Sequence, residues 1–195
     1  MEKTYDLILK RRTIRKFRQD DISLETLKKL VNSARVAPSA ANLQLLEYII
    51  VNCSEKCKKI FKCLKWAGYI KPEGNPKKSE EPAAYVIFLV NVSLANGDSY
   101  RIDCGASVQN LILAALEEGI GSCIIGSCDR DKIKKILDVP GNKKIEFLVA
   151  LGYPSEEPIM EDSKNGNIKY YKDPSGKLHV PKRPLKEILH VNAYK

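Results

Sequence analysis

The stretch "RIDCGASVQNLILAALEEG", residues 101–119, decides the fold class of this chain because it predicts a long and mostly apolar helix. A helix with apolar residues around most of its circumference is stable only when other elements cover it. Gly119 follows the last apolar residues, and glycine at that place is typical of a helix end. We therefore expect a helix at the centre of the molecule, with the remaining elements packed around it.

The residues outside this helix predict strands and further helices in an irregular order. Short apolar runs bounded by turn residues predict buried strands at 46–52, at 83–92 and from Lys144 onward. Apolar spacing and helix-end signals predict helices at 4–12, from Ser23 to Pro38, at 54–67, around 133–137 and from Pro184 onward. The turn residues at 173–176 predict a hairpin. Because the strands are few and do not alternate strictly with the helices, we expect one α+β domain over residues 1–195, built in three layers.

The overall charge leaves several classes of partner open. The chain has 33 Lys and Arg against 24 Asp and Glu, a net charge of +9. This excess raises a nucleic-acid hypothesis, but both signs occur in most segments, so a solvated surface is the ordinary explanation.

The longest strongly apolar run, residues 83–90, is shorter than the roughly 20 residues of a membrane-spanning helix. The N-terminus lacks the pattern of a signal peptide, and we expect a cytoplasmic protein that binds neither nucleic acid nor a membrane.

The six cysteines favour packing over chemistry. They contain no C-x-x-C pair and no spacing typical of a zinc site. Reduced thiols, mostly in the core, are therefore expected in a chain of this length. With two histidines in the whole sequence, there is little material for a metal site, and none is expected.

The segment "RRTIRKFRQD", residues 11–20, places five cations within eight positions. Three interpretations are open: a solvated basic face, a nucleic-acid or membrane surface, or a clamp for one small phosphate. In an extended conformation Arg11, Thr13 and Arg15 would point to one side, and arginine supplies the forked donors that suit a phosphate. Because the chain has neither a G-x-G-x-x-G nor a P-loop motif, a nucleotide-like cofactor would need such a clamp.

Three motifs follow one another along the chain in an order typical of one family. "RRTIRKF" at 11–17 matches a pattern like R-R-S-x-R-x-F, and "PSAANLQ" at 38–44 matches P-S-x-x-N-x-Q. "GYP" at 152–154 ends a strand and is followed by the basic pair of "HVPKRPL" at 179–185. With these three motifs, which span almost the whole length, the chain resembles the FMN-dependent nitroreductase family.

This resemblance implies a fold, an assembly and a set of binding residues. The fold would be a three-layer α-β-α sandwich with a central helix and a mixed, mainly antiparallel sheet, in a domain-swapped type of homodimer with two FMN sites at its interface. The FMN phosphate and ribityl chain would be held by Arg11 and Thr13, helped by Arg12, with Lys182 and Arg183 closing the site. Arg15 would lie toward the flavin pyrimidine, and the backbone near Ile125 and Gly126 would face flavin N5. The partner subunit would line the ring with Pro38, Ser39, Ala40 and Asn42.

The resemblance also implies a reaction. The protein would use NAD(P)H to reduce nitroaromatics, quinones or similar small electrophiles in ping-pong turnover, with the flavin carrying the chemistry and no catalytic side chain. Reductive dehalogenation or another flavin reaction on the same fold is the alternative within this class. A basic nucleic-acid-binding module that uses residues 11–18 is the alternative from a different class.

Overall fold

The centre of the fold is a four-stranded antiparallel sheet. The structure is a computed structural model that describes residues 3–70, 72–95 and 97–194. The strands are β1 (Leu46–Val51), β2 (Ala84–Asn91), β3 (Gly121–Ile125) and β4 (Lys143–Gly152), and they lie in the order β1-β2-β4-β3. β3 is additional to the three predicted strands, and it occupies one edge of the sheet.

Helices cover both faces of this sheet. They are α1 (Thr4–Lys10), α2 (Leu24–Arg35), α3 (Ser54–Phe61), α4 (Tyr100–Glu117) and α5 (Arg130–Ile136). Successive residues of a strand point to opposite faces, so Phe88 of β2 packs with α2 and α4 while Ile87 packs with α3 and α5. The predicted α+β class and three-layer arrangement are confirmed.

The apolar stretch that predicted a central helix forms α4. Eight of its residues are buried, among them Val108, Leu111 and Ile112. The helix is not covered all round, however, because Ile102 is 80% exposed in this single chain. α4 therefore has one side on the core and one side open.

Gly119 ends α4 as predicted. Its φ of +70° is left-handed, a conformation that glycine adopts without the strain of a side chain. Its N–H donates to the carbonyl of Leu116 at 2.9 Å, and the N–H of Ile120 donates to Ala115 at 2.8 Å. These two bonds form a Schellman motif and direct the chain into β3.

Two predicted helices are shorter than expected. α3 ends at Phe61 instead of 67 because the chain then pairs with the segment after β3: Leu64 bridges Cys128, and the N–H of Lys65 donates to Ser127 at 3.0 Å. The helix predicted from Pro184 is one 3-10 turn, Leu185–Glu187. The Leu185 side chain is 68% exposed, so no buried apolar contact supports a longer helix there.

The tail forms a second, smaller sheet. It contains β5 (Ile159–Asp162), β6 (Tyr171–Lys172) and β7 (Leu178–Lys182) in the order β5-β7-β6. β6 and β7 form the predicted hairpin, in whose turn the N–H of Gly176 donates to Asp173 at 2.9 Å. β5 pairs with β7 in parallel, so the sheet is mixed. None of the helices in the described part of the chain is long and apolar enough to cross a lipid bilayer.

The six cysteines are all free thiols, and three of them, Cys57, Cys104 and Cys123, are buried. Burial raises the pKa of Cys57 to about 11 and that of Cys104 to about 12. A thiol with such a pKa is almost fully protonated at neutral pH and a poor nucleophile. The buried cysteines therefore serve as packing residues.

Candidate functional site

The basic segment that follows α1, residues 11–18, forms an extended arm against the edge of the central sheet. Thr13 forms a parallel bridge with Ser122 of β3, and the N–H of Ile14 donates to the Ser122 carbonyl at 2.9 Å. Farther along, the N–H of Arg18 donates to Tyr153 at 2.8 Å. The arm thus joins β3 to the segment after β4.

Two glycines make this close approach possible. Gly121 and Gly152 face each other across β3 and β4. A Cβ on Gly121 would lie 2.9 Å from the side chain of Ile14, and a Cβ on Gly152 would lie 2.8 Å from that of Phe17. Because atoms cannot approach so closely, any larger residue at either position would displace the arm.

Two of the five cations of the arm are paired with acidic residues. Lys16 lies 3.1 Å from Glu80, and Arg18 lies 3.1 Å from Asp20. The arm backbone is held by another carboxylate, since Oε1 of Glu156 accepts from the N–H groups of Arg15 at 2.6 Å and Lys16 at 3.2 Å. These contacts fix the arm and neutralise the charges of Lys16 and Arg18.

Arg12 stabilises the end of α1. Its guanidinium donates to the carbonyl of Leu9 at 2.6 Å and to the carbonyl of Arg11. The last carbonyls of a helix lack backbone donors, and a cation there is also favoured by the helix dipole. Part of the donor capacity of Arg12 is therefore used within the chain.

Arg11, like Arg12 and Arg15, has no acidic partner among the described residues, but its guanidinium also lacks the carbonyl contacts of Arg12 and the ring contact of Arg15. It is half-buried, and no acidic side chain in residues 3–70, 72–95 and 97–194 forms an ion pair with its guanidinium. Burial lowers the pKa of Arg11, and both burial and the Arg11 charge lower the pKa of Arg12. Two neighbouring, partly desolvated cations are costly unless an anion joins them, so this end of the arm is suited to bind an anion.

A cavity of about 240 Å³ lies beside these two arginines, between the end of α4 and the segment after β4. Its apolar wall includes Leu116, and Glu156 and Glu157 also line it. Neither carboxylate forms an ion pair with Arg11 or Arg12. The cavity is smaller than the roughly 300–1,000 Å³ of typical small-molecule pockets.

Arg15 lies on an aromatic surface. Its guanidinium is 4.9 Å from the ring centre of Tyr170, and that ring is 4.9 Å from the ring of Tyr69. Burial raises the pKa of the Cys123 thiol to about 11, and the charge of nearby Arg15 opposes this rise. The cation–π contact therefore places Arg15 against Tyr170, and its charge lies near Cys123 of β3.

The predicted ring-lining residues form the loop at 38–42, which follows α2. Ala41, Asn42 and Gln44 have φ values of 48°, 53° and 51°, a conformation that is uncommon for residues other than glycine. The hydroxyl of Ser39 donates to Asp103 at 2.8 Å and accepts from the N–H of Gln44 at 3.0 Å. The loop is thus a defined structure, and Ser39 connects it to Asp103 of α4 and to Gln44.

Asp103 is not among the predicted site residues, but it contacts two of them. It lies in the first turn of α4, is 4% exposed, and accepts from both the Ser39 hydroxyl and the Ala40 N–H, the latter at 3.1 Å. The available signal was that Asp103 is the one acidic residue between positions 101 and 116 of an otherwise mostly apolar helix. Such a carboxylate needs partners, and the loop supplies them.

The arm and the loop lie at opposite ends of α4 in one chain. Asp103 contacts the loop at the start of the helix, whereas the arm contacts Gly121 just after the helix. Glu117, the last residue of the helix, lies 14 positions after Asp103, which corresponds to about 21 Å at 1.5 Å per residue. The structure therefore does not bring the two groups of predicted site residues together within one chain.

The other predicted residues lie in two places. Ile125 is buried at the end of β3, and Gly126 is exposed, with open space where a Cβ would stand. Lys182 and Arg183 are exposed at the end of β7, where Arg183 lies 3.7 Å from Glu187. In the described ranges no hydrogen bond or ion pair joins these two cations to the arm, so their predicted role at the phosphate stays a prediction.

Comparison with known proteins gives a consistent result. The family model described as "Nitroreductase family" matches residues 8–153. A protein of Archaeoglobus fulgidus, provisionally named an NADH dehydrogenase/NAD(P)H nitroreductase, is 31% identical over 161 residues, which is 80% of this chain and 88% of the relative. FMN reductase (NADPH) of Bacillus subtilis is 26% identical over 210 residues, covering 100% of this chain and 75% of that protein.

The fold leads to the same family. The crystal structure of a nitroreductase family protein from Clostridium novyi NT is 27% identical and superimposes with a TM-score of 0.66, over 79% of this chain and 86% of that one. The family match at 8–153 includes the arm, the loop and the whole central sheet, although it ends before Lys182 and Arg183. On the strength of this match, the chain belongs to the nitroreductase family.

Proposed function

We propose that this chain is the subunit of an FMN-dependent oxidoreductase that takes electrons from NAD(P)H and passes them to nitroaromatics, quinones or similar small electrophiles. The observation that carries the proposal is the half-buried Arg11 guanidinium, beside Arg12 and without an acidic partner in the described residues. Its place on the arm coincides with the first family motif. The names of the relatives support the same two cofactors.

The residues of the arm fit the phosphate of FMN. A phosphate monoester carries between about 1.5 and 2 negative charges at neutral pH and three acceptor oxygens. Arg11 has its forked donors available, and the neighbouring Thr13 adds a hydroxyl group. Since Arg12 already donates to two backbone carbonyls, we assign it mainly an electrostatic contribution.

When bound, FMN supplies the electron-transfer chemistry of such an enzyme. The chain binds and orients this cofactor. Arg15, held against Tyr170, is assigned to the pyrimidine side of the ring, where its charge favours negative charge on the flavin. Electron donor and acceptor would occupy the same exposed face in turn, which gives ping-pong kinetics.

A homodimer would complete the site. The loop at 38–42 and the arm lie about 21 Å apart along α4, and exposed apolar residues lie on α1, on α4 and in the tail. They include Ile8, Leu9, Ile102, Leu185 and Leu189. If two chains pair in opposite directions along α4, the loop of one reaches the arm of the other, and the exposed apolar surface is buried.

The test is whether the purified protein carries a flavin. We expect a yellow protein, or a colourless one that takes up added FMN, and oxidation of NADH or NADPH when a nitroaromatic or a quinone is present. Turnover with a halogenated phenol but with neither of those acceptors would support the dehalogenation alternative. A protein that takes up no FMN but binds nucleic acid with a steep salt dependence would contradict the proposal.

A further inference from the structure

The carboxylate of Asp103 is committed to the loop at 38–42. Its Oδ2 accepts from the Ser39 hydroxyl at 2.8 Å, and its Oδ1 accepts from the Ala40 N–H at 3.1 Å. The side chain is almost fully buried and forms no ion pair with any described cation. Each oxygen of this buried side chain therefore has a hydrogen-bond partner.

The loop needs such support because its backbone is strained. Ala41, Asn42 and Gln44 all have φ near +50°, a conformation that persists only where the surrounding structure holds it. Ser39 carries the support across the loop, since its hydroxyl also accepts from the N–H of Gln44 at 3.0 Å. A chain of hydrogen bonds therefore runs from α4 through Ser39 to the far side of the loop.

The base of the loop is anchored to the same helix. One turn after Asp103, the hydroxyl of Ser107 donates to the carbonyl of Ala34 in α2 at 3.0 Å and lies 2.7 Å from the hydroxyl of Tyr48 in β1. The segment before the loop and the strand after it are thus both fixed to α4. Residues 38–42 lie between these two fixed segments, and Asp103 holds them through Ser39 and Ala40.

We propose that Asp103 is a positioning residue for FMN: from the first turn of α4 it holds the loop at 38–42 in the shape that contacts the flavin bound on the partner's arm. The proposal rests on the function proposed above. Asp103 does not touch the flavin itself. It acts through Ser39 and Ala40, so the flavin affinity of one arm depends on a carboxylate that belongs to the other chain.

The experiment measures FMN affinity by quenching of flavin fluorescence on the dimeric apoprotein. Asp103→Asn leaves one acceptor oxygen for two donors, so the Ser39 hydroxyl and the Ala40 N–H can no longer each donate to an oxygen of their own, and we expect at least about tenfold weaker binding. Ser39→Ala, which removes one of the two contacts, should have a smaller effect. The double variant should lose less than the product of the two single losses, because both residues act in one network.

Asp131→Asn is the matched control, since Asp131 is also an acidic residue in the first turn of a helix, α5, but is exposed. Its FMN affinity should stay within about twofold of the original. If Asp103→Asn also stays within twofold, the inference is wrong. If the unsubstituted protein binds no FMN, the proposed function fails together with the inference that rests on it.

A mixed dimer separates positioning from general loss of structure. An Arg11→Ala chain and an Asp103→Asn chain, isolated together by two different tags, should regain one tight FMN site per dimer. That site combines the intact arm of the Asp103→Asn chain with the intact loop of the Arg11→Ala chain. If this dimer fails to bind FMN while a dimer of Arg11→Ala with Asn42→Val does bind it, Asp103 has a merely structural role and the inference is overturned.

Discussion

Arg11 differs from its neighbours in the arm through its surroundings and not through its chemistry. Arg12 is bonded to backbone carbonyls, and Arg15, which also lacks an acidic partner among the described residues, lies against the ring of Tyr170. Lys16 and Arg18 are paired with acids. From the sequence these cations look equivalent. The unequal distribution of partners is what marks Arg11 as the residue that awaits an anion.

Replacing Arg11 should therefore weaken FMN binding without lowering the stability of the apoprotein. Arg11→Ala should weaken FMN binding at least about tenfold, since a charge-assisted hydrogen bond contributes roughly 1.5–3 kcal/mol. The melting temperature of the apoprotein should not fall, because the variant removes a half-buried charge without a partner. Fluorescence titration and calorimetry measure the two quantities.

Arg18→Ala is the control for this variant. It lies in the same arm but is exposed and paired with Asp20, and it should keep its FMN affinity within about twofold, as expected for an exposed ion pair. Equal losses in both variants would indicate a general electrostatic attraction instead of a specific phosphate site.

Among the secondary-structure elements, the position of the arm depends on the glycines that face it. Gly121→Ala would place a Cβ 2.9 Å from the Ile14 side chain. We expect the free energy of unfolding to fall by roughly 1–3 kcal/mol, as for an overpacked core, and FMN affinity to fall with it because the arm moves. Denaturant unfolding and FMN titration would measure both effects.

Gly141→Ala provides the comparison, because a Cβ there meets nothing within 4 Å and the backbone φ is not left-handed. Both quantities should stay near their original values. Unchanged FMN affinity in Gly121→Ala would mean that the arm is not part of the cofactor site.

The hairpin of the second sheet should respond to pH through His179. Its Nδ1 lies 3.0 Å from Glu161 of β5, and its Nε2 lies 3.2 Å from Asp173 in the turn. The hydrogen bond with Glu161 and then that with Asp173 raise the pKa of His179 above 6.5. The folded hairpin therefore favours the protonated ring, and this contribution to stability is full below about pH 6.5 and is lost as pH rises through the higher folded-state pKa.

Hydrogen exchange of the Leu178, His179, Val180 and Lys182 amides at increasing pH, corrected for the intrinsic rate, would detect this loss of protection. His179→Gln should remove most of the pH dependence. His190→Gln, at the other histidine, lies in the exposed tail and should leave it unchanged. A pH response that persists in His179→Gln would assign the effect to another group.

For the whole molecule, the separation of arm and loop along α4 predicts sites shared between two chains. An Arg11→Ala chain lacks the arm cation. An Asn42→Val chain lacks the loop amide and carries a β-branched residue at a φ of 53°, which such residues avoid. Each homodimer should therefore lose FMN.

The mixed dimer of these two chains should regain one site, made from the unaltered arm of one chain and the unaltered loop of the other. Absorbance at flavin wavelengths per dimer measures the result. Loss of binding in the mixed dimer as well would place arm and loop of each site in the same chain and contradict the shared-site homodimer.

Most of the secondary structure could be predicted because it depends on local patterns. Apolar periodicity predicted α2, α4, β1, β2 and β4, and the turn residues at 173–176 predicted the hairpin. β3 was not assigned, since "GSCII" is too short and too mixed to distinguish a strand from a loop. α3 was predicted too long because it ends where the chain pairs with a distant segment, the one after β3. The C-terminal helix was predicted too long because no buried contact supports it beyond one turn.

The sequence by itself determined the α+β class, the family and the two segments that would hold a cofactor, because these follow from short-range periodicity and from motifs. The tertiary structure decided which cations of the arm lack an acidic partner among the described residues and which glycines let the arm lie against the sheet. It also decided that Asp103 holds the loop. Asp103 and Ser39 are 64 positions apart, and Arg15 and Glu156 are 141 apart. Such contacts depend on how the whole chain packs, and no local pattern encodes them.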